Sequence, residues 1–395
     1  MQNAAPSGGG GGQQSSPSAI NRAQRMAVLQ GAVEMTQQIY SAQLAAGQTQ
    51  ANIPPRNVGL VKKFLVNISG TANNTGGNPA NLSDIGLANI ISQVTFTDLN
   101  NNVRIQTSGW HLAFLNAVKN QWPMTDAILA ASMEQFSATM GNVFAVITAP
   151  TGIAAGTSQP FSMWFEIPLS YSDDDLRGAI YMNVVNAVAN LQININPNAF
   201  VAAATDSTLA VWKGSAGNVS AVTITVFQVY LDQLPVGKGG PILPSLDLST
   251  VYEVKNTAFA GFTASQDNPM PYANFRDFLS TFLIYNSNPA ADAGRTPGTD
   301  INYLALQSAN FTNIWKISPV LAALKTRSMQ MKDFPAGCYY FSSRRKPIST
   351  TTYGNMQLIV NPVTAAANNY ALVGYEDFAL VNTLLSGAGS LAGTS

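Results

Sequence analysis

The sequence predicts an all-β chain made of two similar strand-rich units. Short β-branched and aromatic runs follow one another, with Gly, Pro and Asn between them, which is the texture of sandwiches and barrels. The two halves share a loose repeat: a strand, a Pro-marked bend, a strand closing in Asn-Pro, and a final aromatic strand. Between them lies Leu234-Pro235-Val236-Gly237-Lys238-Gly239-Gly240-Pro241, which can form neither a helix nor a central strand.

In chain order, residues 1–18 hold Gly8–Gly12 with scattered Gln and Ser, can bury nothing, and read as a flexible arm. Residues 19–47 are rich in Ala, Gln, Met and Leu and read as an amphipathic helix. Leu29, Val33, Ile39, Tyr40 and Leu44 form its apolar stripe and Gly47 its C-cap. Arg22 and Arg25 oppose the helix dipole at its start by a few tenths of a kcal/mol. They mark either a solvated first turn or an anionic surface nearby. Because Met1–Ala46 shows no strand pattern, its removal is expected to leave folding intact.

After Ile53-Pro54-Pro55 the first β unit spans 54–231. Val94–Thr97 and Val103–Gln106 flank Asn100-Asn101-Asn102, a hairpin signal because Asn tolerates positive φ. A short helix is expected to open at Ser172-Asp173-Asp174-Asp175, with Leu176, Ile180, Val184 and Val188 on one face. The three aspartates read as helix-capping acids, since they lack the alternation and the later Glu of a calcium loop. Leu191, Ile193 and Ile195 alternate as in a half-buried strand, and Val222–Tyr230 is a longer one. A connector at 232–245 leads to a second unit at 246–382, with strands at Phe278–Tyr285, Tyr339–Phe341, Met356–Val360 and Tyr370–Val373. Residues 383–395 read as a flexible tail. The repeat pairs Trp164–Ser170, Leu191–Pro197 and the strand ending at Tyr230 with Tyr339–Phe341, Lys346-Pro347-Ile348, Met356–Pro362 and Tyr370–Leu380.

Composition narrows the function. Among 395 residues, 20 Lys+Arg balance 20 Asp+Glu, so only 10% are charged, against about 25% in an ordinary soluble domain. A neutral polar surface at zero net charge does little to oppose self-association, so an obligate oligomer is expected. With Cys338 and His111 as the only residues of their types, disulfide frameworks, Cys-cluster and multi-His metal sites and iron–sulfur clusters are excluded. No secretory leader is expected in Met1–Ser18. The charge-free runs Gln135–Phe165 and Gly178–Thr205 are interrupted by Pro and Asn and do not read as membrane spans.

No catalytic constellation emerges. His111, beside Trp110 and Leu112, has no GxSxG elbow to serve and reads as a packed, hydrogen-bonded residue. Cys338 reads as a small residue on a strand. Glu376 and Asp377 are adjacent, so on a strand they point to opposite faces, while Glu166 and Asp247 stand alone in apolar surroundings. Gly237-Lys238 lacks the rest of a P-loop, and Gly8–Gly12 follows no strand. Arg344-Arg345-Lys346 is the one compact basic run, too small for a nucleic-acid face and better read as a loop tip or subunit contact. Trp110, Trp122, Trp164, Trp212 and Trp315 are mostly flanked by apolar residues and read as core. No site residues, metals or cofactors are assigned.

A set of collinear segments resembles the major capsid proteins of tectiviruses, phages with a membrane beneath an icosahedral shell. The strongest is Tyr230-Leu231-Asp232-Gln233-Leu234-Pro235-Val236-Gly237, continuing through Ile242-Leu243-Pro244 and Asp247-Leu248-Ser249-Thr250. Ser108–Leu112, Gly298–Leu304, Asp333-Phe334-Pro335, Tyr353-Gly354-Asn355, Val360-Asn361-Pro362 and Gly374-Tyr375-Glu376 add to it. The resemblance implies a double jelly roll, two eight-stranded sandwiches side by side. It also implies homotrimers with a pseudo-hexagonal footprint that tile a virion shell assembled in the host cytoplasm. Implied partners are neighbouring trimers, vertex and minor capsid proteins, and the internal membrane through the N-terminal helix, with no specific nucleic-acid binding and no enzymatic activity. Ala19–Ala46 and Leu384–Ser395 fit terminal segments that adapt to non-equivalent lattice positions. The alternative reading is a receptor- or glycan-binding β-sandwich, a spike or adhesin, marked by exposed Trp and Tyr beside carboxylates or amides.

Overall fold

A computed structural model describes residues 17–45, 47–78, 80–82, 86–119, 153–184, 188–200, 211–213, 217–288, 299–330, 334 and 337–379. The Gly-rich arm to Ser16, Trp122, most of the Gln135–Phe165 run and the C-terminal tail lie outside these residues. The first half runs α1 (Pro17–Gly31), β1 (Val33–Gln43), β2 (Gln50–Ile53), β3 (Leu60–Asn74), β4 (Asn81–Leu82), β5 (Ile91–Thr97), β6 (Val103–Thr107) and α2 (Gly109–Lys119). It continues through β7 (Ser158–Pro168), β8 (Ile180–Tyr181), β9 (Asn190–Ile195), β10 (Trp212–Lys213) and β11 (Gly217–Asp232). The connector carries the minimal hairpin β12 (Val236–Gly237) and β13 (Gly240–Pro241), and then α3 (Ser245–Ser249). The second half holds β14 (Val251–Ala260), β15 (Asn268–Pro271), β16 (Arg276–Asn286), β17 (Ile301–Ser308), β18 (Trp315–Ile317) and α4 (Pro319–Gln330). After α4 come β19 (Cys338–Ser342), β20 (Ile348–Ser349), α5 (Thr350–Tyr353), β21 (Met356–Pro362) and β22 (Tyr370–Ala379).

Each half is a sandwich with one topology. In the first, the sheet β1-β11-β3-β7 faces β2-β9-β5-β6; in the second, β14-β22-β16-β19 faces β15-β21-β17-β18. Consecutive main strands switch between facing sheets except at one hairpin in each half, β5–β6 and β17–β18, which is the jelly-roll winding. The core of each forms because inward positions alternate along the strands. Phe64, Val66 and Ile68 of β3 meet Leu191, Ile193 and Ile195 of β9 in the first core, with Phe64 and Phe96 at 5.5 Å. Leu304 and Leu306 meet Leu358, Val360, Val373 and Tyr375 in the second. The two sandwiches share one sheet of nine strands, because β6 pairs in parallel with β14 through Val254↔Ile105 and Lys255↔Gln106.

Two helical expectations need correction. The helix expected over 19–47 ends at Gly31, where a Cβ would lie 2.7 Å from the Pro235 side chain. The chain then extends as β1, paired antiparallel with β11 from Val33↔Asp232 to Gln43↔Thr223. Tertiary pairing overrides the helix propensity of Ala, Gln and Met. As a result the first sandwich takes strands β1 and β2 from upstream of residue 54. The helix expected at Ser172–Val188 is also absent from the described residues there. Asp175 instead bonds the backbone N–H and guanidinium of Arg177, Gly178 turns at φ 92°, and Val188 is 73% exposed. The first jelly roll's helix is α2, apolar all round because it is buried on every side, and so without amphipathic period.

The Asn hairpin forms as read, β5 against β6 with Asn101 at φ 60°. The strands read at Leu191, Val222, Phe278, Tyr339, Met356 and Tyr370 are β9, β11, β16, β19, β21 and β22.

Candidate functional site

The junction between the two jelly rolls concentrates the chain's buried polar chemistry. β22 is central to it because both of its faces are covered. Val373 and Tyr375 point into the second sandwich, whereas Leu372 and Phe378 join the core that extends from the first. Gly374 lies under α2, and a Cβ there would sit 2.4 Å from the His111 ring. His111 in turn packs on Trp110 and Phe282, is fully buried, and meets the Thr107 hydroxyl through Nδ1 at 2.7 Å. Burial pushes its pKa down to about 3, against the opposing pull of Glu376, so the imidazole is neutral. The packed, hydrogen-bonded reading of His111 stands; likewise Cys338 is a buried residue on β19.

Glu376, fully buried, collects four partners from four segments. Arg344 donates through Nη2 at 2.7 Å and Nε at 3.0 Å, Tyr252 Oη donates at 2.6 Å, and Ser280 Oγ at 2.8 Å. Lys119, the last residue of α2, approaches at 3.4 Å and bonds Tyr252 Oη at 3.0 Å. Burial alone would raise the Glu376 pKa. Arg344 and Lys119 outweigh it and hold the carboxyl at about 2. Burial also lowers the pKa of Lys119, opposed by Glu376. This network ties the first jelly roll's helix to β14, β16, β22 and the turn after β19 of the second.

On the opposite face, Asp377 sits directly across from Glu253 and shares Arg276 with it, while Lys255 lies 2.6 Å from Glu253. Burial, reinforced by Glu253 and opposed by Arg276, pushes Asp377 up to about 7. Several other singled-out charges are also used inside the chain. Glu166 pairs with Lys63 at 3.0 Å. Asp173, read as a capping acid, instead bridges Lys62 and Lys63. Arg25 reaches Asp247 at 3.6 Å and Asp175 at 3.8 Å, and Asn21 donates to Asp247 at 2.9 Å. Together with Val28 in the pocket of Leu60, Leu176, Ala179 and Leu231, these contacts seat α1 against the connector. Of the basic run, Arg344 turns inward and Arg345 and Lys346 remain exposed.

Sequence reasoning missed the Glu376 cluster because its members are separated by up to 257 residues of chain, from Lys119 to Glu376. Its only trace is a lone Lys closing an apolar helix and a lone Glu-Asp pair inside an apolar strand. The arrangement aims no acid, base or nucleophile at an open cleft, and no group of metal-ligating side chains forms among the described residues. Its chemistry is structural: it locks two units into one.

Two jelly rolls sharing a sheet, with a locked junction, define a double jelly-roll protein. The fold matches the major capsid protein of Sulfolobus turreted icosahedral virus at a TM-score of 0.62 and 11% identity, covering 88% of this chain and 97% of that one. It matches VP54 of PBCV-1 at 0.56 and 10% identity, covering 88% and 93%. The models for the N-terminal and C-terminal parts of the P3 major capsid protein match residues 18–234 and 249–392. Major capsid protein P3 of Enterobacteria phage PRD1 is 36% identical over 401 aligned residues, 100% of this chain and 99% of that protein. The chain belongs to the P3 major capsid protein family.

Proposed function

We propose that this chain is the shell-building subunit of a membrane-containing icosahedral phage, acting as a homotrimer with no catalytic activity. The observation that carries the reading is the pair of jelly rolls of identical topology fused side by side. Three such subunits around an axis place six similar units in a near-hexagonal ring, which tiles a plane and closes with fivefold vertices. The full-length match to a phage major capsid protein supports the same assignment.

Neighbouring trimers, vertex proteins and minor capsid proteins are the partners this role requires, and assembly takes place in the host cytoplasm. The membrane partner is assigned to α1, which leaves Ile20 and Met26 exposed (47% and 45%) while Val28 anchors it. No helix of the described residues is long and apolar enough to cross a bilayer. Specific nucleic-acid binding is not part of the role, since Arg345 and Lys346 are the exposed remnant of the basic run. Light scattering of the purified protein at micromolar concentration tests the reading, with a trimer mass expected. Electron microscopy of concentrated protein should show hexagonal arrays. A stable monomer that forms no array would overturn it.

A further inference from the structure

The two jelly rolls carry matching helices with opposite fates. α2 and α4 each follow the fifth main strand of their sandwich and lie against the equivalent strands, β5 and β7 for α2 and β17 and β19 for α4. A shared hydrogen bond sets their registers. Asn116, the eighth residue of α2, bonds both backbone groups of Glu166 on β7 at 2.9 and 2.6 Å. Thr326, the eighth residue of α4, bonds both backbone groups of Tyr340 on β19 at 3.4 and 3.2 Å. Aligned on that pair, Trp110, His111 and Phe114 correspond to Val320, Leu321 and Leu324. The first three are buried, His111 and Phe114 at the junction with the second jelly roll. The latter three are exposed by 62%, 39% and 59%.

What covers α2 shows what α4 lacks. His111 packs over Gly374 and against Phe282, and Phe114 stacks on Phe282 at 6.1 Å. Strand register carries these positions onto the first jelly roll. Phe282 pairs with Tyr340 and Gly374, as Leu65 pairs with Glu166 and Phe227. Leu65 and Phe227 therefore occupy the places of Phe282 and Gly374. They lie on the outward face of the β1-β11-β3-β7 sheet, half-buried, where Phe227 stacks on Trp164 at 5.9 Å.

We infer that Val320, Leu321 and Leu324 of α4 dock on the Leu65–Phe227–Trp164 patch of a second copy of this chain, repeating between subunits the α2 junction found within one. This deepens the trimer reading and rests on it for closure: a head-to-tail contact that alternates with the internal junction closes after three copies. Leu321 then meets Phe227 and Leu65, and Leu324 meets Leu65.

The test is Leu324→Glu in the full chain, read by light scattering, with circular dichroism confirming the fold. Because α4 turns that side chain away from its own core, the variant is expected to fold and to show about one third of the wild-type mass. A second variant, Leu65→Cys with Leu324→Cys, is expected to give covalent ladders of two and three chains on oxidation; the buried Cys338 supplies no competing thiol. Each single-cysteine chain should give none. A wild-type trimer that keeps its mass in Leu324→Glu and yields no ladder from the double cysteine overturns the docking and leaves the trimer reading intact. A monomeric wild type overturns the trimer reading itself.

Discussion

Glu376 and Asp377 are neighbours on β22 that face opposite ways, and their surroundings drive their titration in opposite directions. Glu376 has a folded pKa near 2, below its ordinary 4.5, so the stability it contributes is complete above about 4.5 and is lost as pH falls through about 2. Asp377 is raised from 3.8 to about 7, so its charged form costs stability, a cost absent below about 3.8 and complete above about 7. Thermal melts across this range should therefore show Asp377→Asn flattening the fall in stability toward neutral pH. Glu376→Gln strands Arg344 and Lys119 as uncompensated buried cations. The expected loss is about 3–5 kcal/mol in chemical denaturation. Gly374→Ala places a methyl group inside the His111 ring volume, and overpacking of that kind costs about 1–3 kcal/mol. His111→Ala in the same chain should recover part of it, and a double-mutant cycle measures the coupling.

At the scale of elements, β1 changes the view of the N-terminal region. It covers the edge of β11 through ten paired positions, while α1 seals Leu60, Leu176 and Leu231 against the connector. Truncating residues 1–45 is thus expected to abolish cooperative unfolding, contrary to the sequence-based expectation that Met1–Ala46 is dispensable for folding. Loss of a sharp thermal transition in that truncation is the readout. Strands whose side chains alternate, such as β9 and the β5–β6 hairpin, were legible because one face is wet and the other dry. β1 was not, since its Met, Gln and Ala side chains favour a helix and only pairing with a strand nearly 190 residues away makes it extended. α2 was hidden for the reverse reason: a helix enclosed on all sides has no polar face to give it a period. Junction chemistry is long-range throughout and leaves almost no local pattern.

For the whole molecule, few charges turn out to mean charges used internally. Lys62, Lys63, Arg104, Lys119, Arg276 and Arg344 all pair with acids of the same chain, leaving a surface poorer in charge than the composition implies. Association through such a surface should be indifferent to ionic strength. The mass of the proposed trimer is expected to hold from about 0.05 M to about 1 M salt, a range over which the screening length shrinks several-fold. Dissociation at high salt would show that charge pairs, not neutral walls and apolar patches, hold the subunits.

The parallel stitch between β6 and β14 has a mechanical consequence. A hinge between the jelly rolls would have to break backbone hydrogen bonds of a continuous sheet and pull α2 off Gly374, so each subunit resists flexing as a stiff plate. Curvature in a shell of such plates must then be taken up at the joints between them. One rigid building block can serve a flat facet and its folded edge alike.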